Sequence, residues 1–348
     1  ERTNTWNLGL DVAMFNNRLT FSLDYFDSRS KDLIMPVTIS SVYGTDCMYR
    51  NLGEVSNKGI EFGAQLALIQ NRDFKWYVGG TISTNKNEVK SLGGENSMIL
   101  SMSDGSAVIS EVGQPLYSFY GYQTDGVFAT DDAVVAAGKD GQALTNAIGV
   151  AFAAGDMRFV DQNGDGKIDK EDRVNLGNAL PDFYGTFYTN FQYKGLAVSA
   201  VFGYSKGNKM YNAVRRTMES MSDFSNQLTS VTRRWMYEGQ ITDIPRAVYG
   251  DPMENSRFSD RWIEDASYLK LKELMVSYKF NLFAGTTVFV AAENLFTATK
   301  YLGMDPETMY SYDSSMRGFD YGKIASPRTV KLGFKVTRRL QTIWKNAD

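Results

Sequence analysis

The chain has 348 residues and a formal net charge of -3, enough for one large domain or two ordinary ones and without the basic excess of a nucleic-acid binder. It contains no histidine and a single cysteine, which removes Ser-His and Cys-His catalysis, imidazole-ligated zinc and any internal disulfide framework. No run of 18 apolar residues occurs, so membrane-spanning helices are excluded, whereas a 13% aromatic content with 20 Tyr and 21 Phe suits a membrane barrel with interfacial girdles.

Residues 5–15 alternate, with Trp6, Leu8, Leu10, Val12 and Met14 on one face and Asn7, Gly9, Asp11 and Ala13 on the other, the period of two that a β-strand imposes. Asn16-Asn17 reads as a turn, after which Leu19, Phe21, Leu23 and Tyr25 oppose Thr20, Ser22 and Asp24. Asp11 and Asp24 are intolerable facing lipid and ordinary facing a wet lumen. After a connection over 28–56 the unit recurs. Strand 57–69 sets Ile60, Phe62, Ala64, Leu66 and Leu68 against Glu61, Gly63 and Gln65, a short turn spans 70–73, and strand 74–86 carries Phe74, Trp76, Val78 and Ile82.

The connection 87–182 holds fifteen acidic residues against six basic ones, a composition that is usually just solvated. Its stretch PLYSFYGYQTDGVF offers Tyr117, Phe119, Tyr120 and Tyr122, which suit stacking on sugar rings or filling a partner interface equally well. Further on, DQNGDGKIDKED matches a calcium loop. Asp161, Asn163 and Asp165 stand at positions 1, 3 and 5, Gly166 makes the sharp turn, Lys167 lends its carbonyl, Ile168 is the apolar residue, and Asp169 and Asp172 fall at 9 and 12. The expected occupant is calcium, with magnesium as the alternative, in a structural role that pins the connection. Asp rather than Glu at position 12 and the lack of flanking helices separate it from an EF-hand sensor; a solvated acidic turn is the plain alternative.

Residues 183–204 contain a hairpin, Phe187, Thr189, Phe191 and Tyr193 on one arm and Leu196, Val198, Ala200, Phe202 and Tyr204 on the other, joined at Lys194-Gly195. Arms of about ten residues are long enough for a tilted strand to cross a bilayer. A connection over 206–267 leads to strands 268–280 and 286–293, joined by 281–285. The apolar phase slips between Leu269, Leu271 and Leu274, Val276, which predicts a β-bulge near Lys272 and Glu273. A connection over 294–326 precedes the last strand, 327–337, with Val330, Leu332, Phe334 and Val336 against Lys331 and Lys335.

The expectation is thus an all-β chain of about nine antiparallel strands in which short turns and long connections alternate strictly. All long connections then fall on one side, the asymmetry of an outer-membrane barrel with short periplasmic turns and long external loops; a soluble sandwich spreads its connections over both ends. Phe15, Phe74, Trp76, Tyr193 and Phe280 are expected to form a girdle at the periplasmic end. With Asn16-Asn17 periplasmic, Glu1 begins outside the cell and the tail 338–348, with Trp344, ends in the periplasm. An odd set of strands cannot close up-and-down, and open edges in lipid leave backbone groups unpaired at several kcal/mol each. The remaining strands are therefore expected from another segment or chain, this one being a fragment, cleavage product or split subunit.

Six stretches, GLDVAMFNNRLTFSLDYFDSRSKDLI (9–34), NLGEVSNKGIEF (51–62), GDMRFVDQNGDGKIDKEDR (155–173), SDRWIEDASYLKLKEL (259–274), AENLFTATKYLGMDPE (292–307) and FDYGKIASPRTVKLGF (319–334), resemble in family order the C-terminal barrel half of SusC-like TonB-dependent transporters of the Bacteroidota outer membrane. The resemblance implies a transmembrane antiparallel barrel of 22 strands with a plugged lumen, a SusD-like surface lipoprotein as lid, energisation by TonB through a plug absent from these residues, and import of an oligosaccharide or peptide. Ala266 stands where the family has Gly, and the tail runs past the last strand. The reading is a non-enzymatic importer, with a structural subunit of an outer-membrane assembly or secretion complex as the alternative; an enzyme lacks a site.

Overall fold

The computed structural model describes residues 1–45, 47–280 and 285–336. Nine strands form one antiparallel sheet in which each pairs with its neighbours in sequence. We number them β1 (Arg2–Met14), β2 (Leu19–Thr38), β3 (Cys47–Gln70), β4 (Phe74–Leu92), β5 (Phe183–Tyr193), β6 (Leu196–Lys206), β7 (Tyr268–Phe280), β8 (Thr286–Thr299) and β9 (Thr329–Val336). β1 and β9 are its two edges, so the barrel is not closed by this chain. The tail 338–348 and most of the turn 281–285 lie outside the described residues.

Register converts the alternation of each strand into two continuous faces. Leu10 pairs with Leu23, Leu23 with Phe62, Phe62 with Ile82, Ile82 with Gly185, Gly185 with Tyr204 and Tyr204 with Leu269. Nearer the short turns the row runs Trp76, Phe191, Val198, Val276, Val290, Leu332. Leu10, Leu23, Phe62, Trp76, Val276, Val290 and Leu332 are all exposed on this face, far more contiguous apolar surface than a protein leaves to water. The Trp76 indole donates to Thr189 Oγ1 at 2.9 Å, so this face hides its few donors. The opposite face runs Asp11, Ser22, Gly63, Thr81, Thr186, Gly203, Lys270 and is stitched by polar contacts such as Tyr188 to Gln65 at 2.7 Å and Ser199 to Asn190 at 2.6 Å. A one-residue slip would exchange the faces.

The turns explain their residues. Phe15, Asn16 and Asn17 have φ of 53°, 56° and 63°, left-handed values that Asn tolerates best among non-glycines. At Gly195 a side chain would strike the Lys279 carbonyl 2.7 Å away. Beside these turns Phe74 packs edge-on against Phe191 at 5.0 Å, and Tyr278 against Phe280 at 4.8 Å, while Phe15 and Tyr193 are exposed. The predicted bulge lies at Lys272, skipped between Leu271 and Glu273; opposite it Asn294 takes φ 54°.

Two expectations about the connections need correction. The stretch 28–56 is mostly β-ribbon, because β2 runs on to Thr38 and β3 starts at Cys47; β8 likewise extends to Thr299. In the ribbon register shifts at Ser30/Leu33 and Glu54/Val55 break the period of two, and Leu33 and Met35 pack on Val55, Val89 and Leu92, so hydropathy no longer alternates although the ladder continues. Nor are the long connections merely solvated. They fold together over the end of the sheet opposite the short turns. One core joins Val108, Phe119, Leu176, Tyr211, Phe258, Trp262 and Phe319 from three connections. A second, under helix α1 (Asp131–Ala137), gathers Phe128, Val134, Leu144, Phe152, Met157, Phe159, Ile168 and Met253. Between them Asp156, fully buried, receives Arg246 at 2.8 and 3.0 Å, Asn255 at 3.1 Å and the Ala153 N–H at 2.9 Å, which is the satisfaction a buried carboxylate needs.

Candidate functional site

Where the polar face of the sheet meets this folded layer, two adjoining clefts of about 500 and 280 Å³ share Asn85, Leu180 and Arg317. Their floor is the upper end of β3 to β7, which carries Asn57, Asn85, Asn87, Thr81, Tyr184, Tyr268 and Lys272; their roof is Leu116, Tyr117, Leu180 and Arg317. The amides are tied to one another. Asn57 Oδ1 accepts from Asn85 at 3.3 Å and Asn87 at 2.9 Å, and Asn87 Oδ1 accepts the Leu116 N–H at 2.8 Å. The volume and the mix of aromatic walls with a few fixed polar groups suit a small polar ligand.

The connection 300–328 is clamped to the polar face by one ionic cluster. Lys270, almost wholly buried, bonds Asp305 at 3.1 Å and Glu307 at 2.7 Å; Tyr268 donates to Glu307 at 2.7 Å, and Lys272 reaches the same carboxylate. Burial pushes the Glu307 carboxyl up, but the bonds from Lys270, Lys272 and Tyr268 outweigh it and hold the group below the usual carboxylate range. Such a cluster fixes which residues of the connection overhang the cleft.

Asp161–Asp172 forms a tight loop closed by its own side chains. Asp161 accepts the N–H groups of Gly164 at 2.7 Å and Gly166 at 2.8 Å, Asn163 accepts Asp165 at 3.0 Å, and Asp165 accepts Lys167 at 2.8 Å. Asp169 accepts Glu171 at 2.8 Å, and Asp172, buried, accepts Gln162 at 2.9 Å and Asp169 at 2.7 Å. Gly166 takes φ 85°, which a residue with a Cβ resists, and Ile168 is buried in the second core. The loop therefore has the sharp turn at Gly166 and the buried Ile168 that its spacing predicts, with the carboxylates turned to its own backbone N–H groups. Among the described residues no three His, Cys, Asp or Glu side chains converge as a ligand set.

The aromatic stretch is divided. Phe119 is core and Tyr117 packs against it. Tyr120 is covered by Arg173 at 4.9 Å, and Tyr122 by Arg257 at 4.9 Å. Of the four, only Tyr117 reaches the clefts. The cleft residues themselves, Asn57, Asn85, Asn87 and Arg317, went unread in the sequence. Their one signal was the in-phase pair Asn85 and Asn87 on the polar phase of β4, where other strands place Ser or Thr.

A nine-stranded antiparallel sheet with an apolar and a polar face, short turns at one end and folded connections at the other, defines part of the wall of an outer-membrane type of β-barrel. The family model described as TonB dependent receptor-like, beta-barrel, matches residues 1–295, and the chain belongs to that family. It is 31% identical over 97% of its length to TonB-dependent receptor P3 of Formosa agariphila, covering 34% of that protein. To TonB-dependent receptor SusC of Bacteroides thetaiotaomicron it is 27% identical over 90% of its length, covering 30% of it. The structure of the RagAB peptide transporter superposes with a TM-score of 0.76 at 24% identity, over 95% of this chain and 35% of that one. The chain thus spans about a third of the length of the relatives it matches.

Proposed function

We propose that this chain is the C-terminal wall and external layer of a SusC-like importer that takes up an oligosaccharide or peptide together with a SusD-like surface lipoprotein, driven by TonB acting on a plug carried elsewhere. In this reading the apolar face meets outer-membrane lipid, the polar face lines the lumen, the folded connections lie outside the cell and the short turns face the periplasm. Neighbouring barrel strands cover β1 and β9. The supporting observation is the register itself: apolar residues stay in line across all nine strands while charges collect on the other face. The work is binding and conformational gating without covalent chemistry. The test is a pull-down of the full-length protein from detergent-solubilised outer membranes, paired with uptake assays with and without TonB. Recovery of a surface lipoprotein and loss of uptake without TonB support the reading; uptake independent of TonB contradicts it.

We propose further that Asp161, Asn163, Asp165, the Lys167 carbonyl, Asp169 and Asp172 take a calcium ion, ahead of magnesium because the oxygens come from one flexible loop. The spacing and the left-handed turn at Gly166 support this. Bound calcium would supply charge balance to five clustered acidic residues and stiffen the connection.

A further inference from the structure

We propose that the paired clefts contain an anion subsite in which Arg317 binds a carboxylate carried by an elongated polar ligand; the inference rests on the import reading above and narrows its substrate class. Arg317 borders both cavities. Its guanidinium makes no ion pair or hydrogen bond among the described residues. The other cation on these walls, Lys272, is already neutralised by Glu307. Among the described residues no carboxylate lines either cavity, although the connections around them are rich in acid. One positive charge without a partner among the described residues therefore stands over the mouth of the lumen in a chain of net negative charge.

The backbone that carries this exposed side chain is held in place. Asp313 caps the turn before it by accepting Ser315 N–H at 2.9 Å and Ser315 Oγ at 2.8 Å. The Arg317 N–H bonds the Ser314 carbonyl at 3.3 Å. Gly318 follows at φ 76°, where a Cβ would collide with Ala179 and crowd the Lys209 carbonyl and Phe119, and Phe319 is buried in the core. A planar five-donor fork on an anchored backbone suits a carboxylate, which it can grip through two parallel bonds. Opposite it Asn57, Asn85 and Asn87 supply neutral donors and acceptors in a locked arrangement, matching amide or hydroxyl groups spaced along the same ligand. Two sources offer that chemistry, an acidic peptide and a uronic-acid oligosaccharide.

The experiment uses the full-length receptor in detergent, with any lipoprotein that co-purifies, titrated calorimetrically with four probes. Two are tetragalacturonate and its methyl ester; two are the end-blocked peptides Ala-Glu-Ala-Glu-Ala and Ala-Gln-Ala-Gln-Ala. The acid member of one pair should bind at least tenfold more tightly than its neutral twin, and which pair does so identifies the source. Arg317→Gln should abolish that preference, and Arg317→Lys should restore part of it. If Arg317→Gln does not assemble, Asn85→Asp, which places a negative charge on the facing wall, should remove the preference instead. Equal binding of both members in both pairs, a preference that survives these variants, or binding of none of the four probes overturns the subsite. Acid preference without TonB-dependent uptake would overturn the import reading and leave the subsite standing; uptake without acid preference would do the reverse.

Discussion

Leu23→Arg and Ser22→Arg place the same charge one residue apart on opposite faces of β2. Counting from Leu19 beside the turn, Leu23 lies four residues up a strand that rises about 3.3 Å per residue. At a tilt of roughly 40° that is about 10 Å into an apolar band about 25 Å tall, close to its middle. Leu23 is exposed on the apolar face, flanked by Leu10 and Phe62. An arginine there costs about 2–4 kcal/mol, roughly a 30- to 900-fold loss in the folded-to-unfolded ratio. Ser22 pairs with Asp11 across the hairpin, so an arginine there gains a wet ion pair worth about 0–1 kcal/mol. Urea unfolding of the full-length barrel in liposomes, followed by tryptophan fluorescence, should separate the two variants by about 2 kcal/mol or more. Equal losses, or a larger loss for Ser22→Arg, would refute the assignment of faces.

Glu307→Gln should loosen 300–326, because it leaves the buried Lys270 with Asp305 alone; the cost is about 3 kcal/mol, read as lost hydrogen-exchange protection there. Since the folded carboxyl titrates below its ordinary value, its contribution is complete above that ordinary value, about 4.3, and disappears as pH falls through the lower folded one. Protection in the wild type should therefore drop on acidification while Glu307→Gln stays flat; a parallel drop in both counts against the clamp. Trp262→Ala empties the centre of the first loop core at a cost of about 3–5 kcal/mol, so limited proteolysis should open the folded connections while the barrel still assembles. Failure of barrel assembly would show the two are not separable. Calorimetric titration after chelation should show calcium uptake that an Asp161→Ala, Asp165→Ala double variant lacks, and equal uptake rejects the loop.

The barrel strands were legible because each buries nothing at one face and must repel water at that face, which forces the period of two onto the residues themselves. The bulge at Lys272 was legible for the same reason, as a slip in that period. The ribbon within 28–56 was not: Arg29 and Ser30 continue the ladder, Lys31 and Asp32 bulge out of it and pairing resumes at Leu33, so the period of two is broken where the backbone still pairs. The cores of the connections escaped because each draws single residues from distant connections, Val108, Tyr211 and Phe319 in one of them, with no local periodicity to betray them. The loop at Asp161–Asp172 was legible in shape because Asx turns and a left-handed glycine are local properties. The clefts were not, since Arg317 meets Asn85 only through the tertiary fold.

The account stands or falls on lipid wetting one face of the sheet and water the other. In a Cys47→Ser background of the full-length receptor, single cysteines along β6 from Leu196 to Ser205 can be spin-labelled and their exposure to oxygen and to a water-soluble nickel chelate compared in liposomes. The account predicts a period of two, with oxygen favoured at Leu196, Val198, Ala200 and Phe202 and the chelate at Ala197, Ser199 and Val201. Uniform exposure to the chelate along the strand would contradict it.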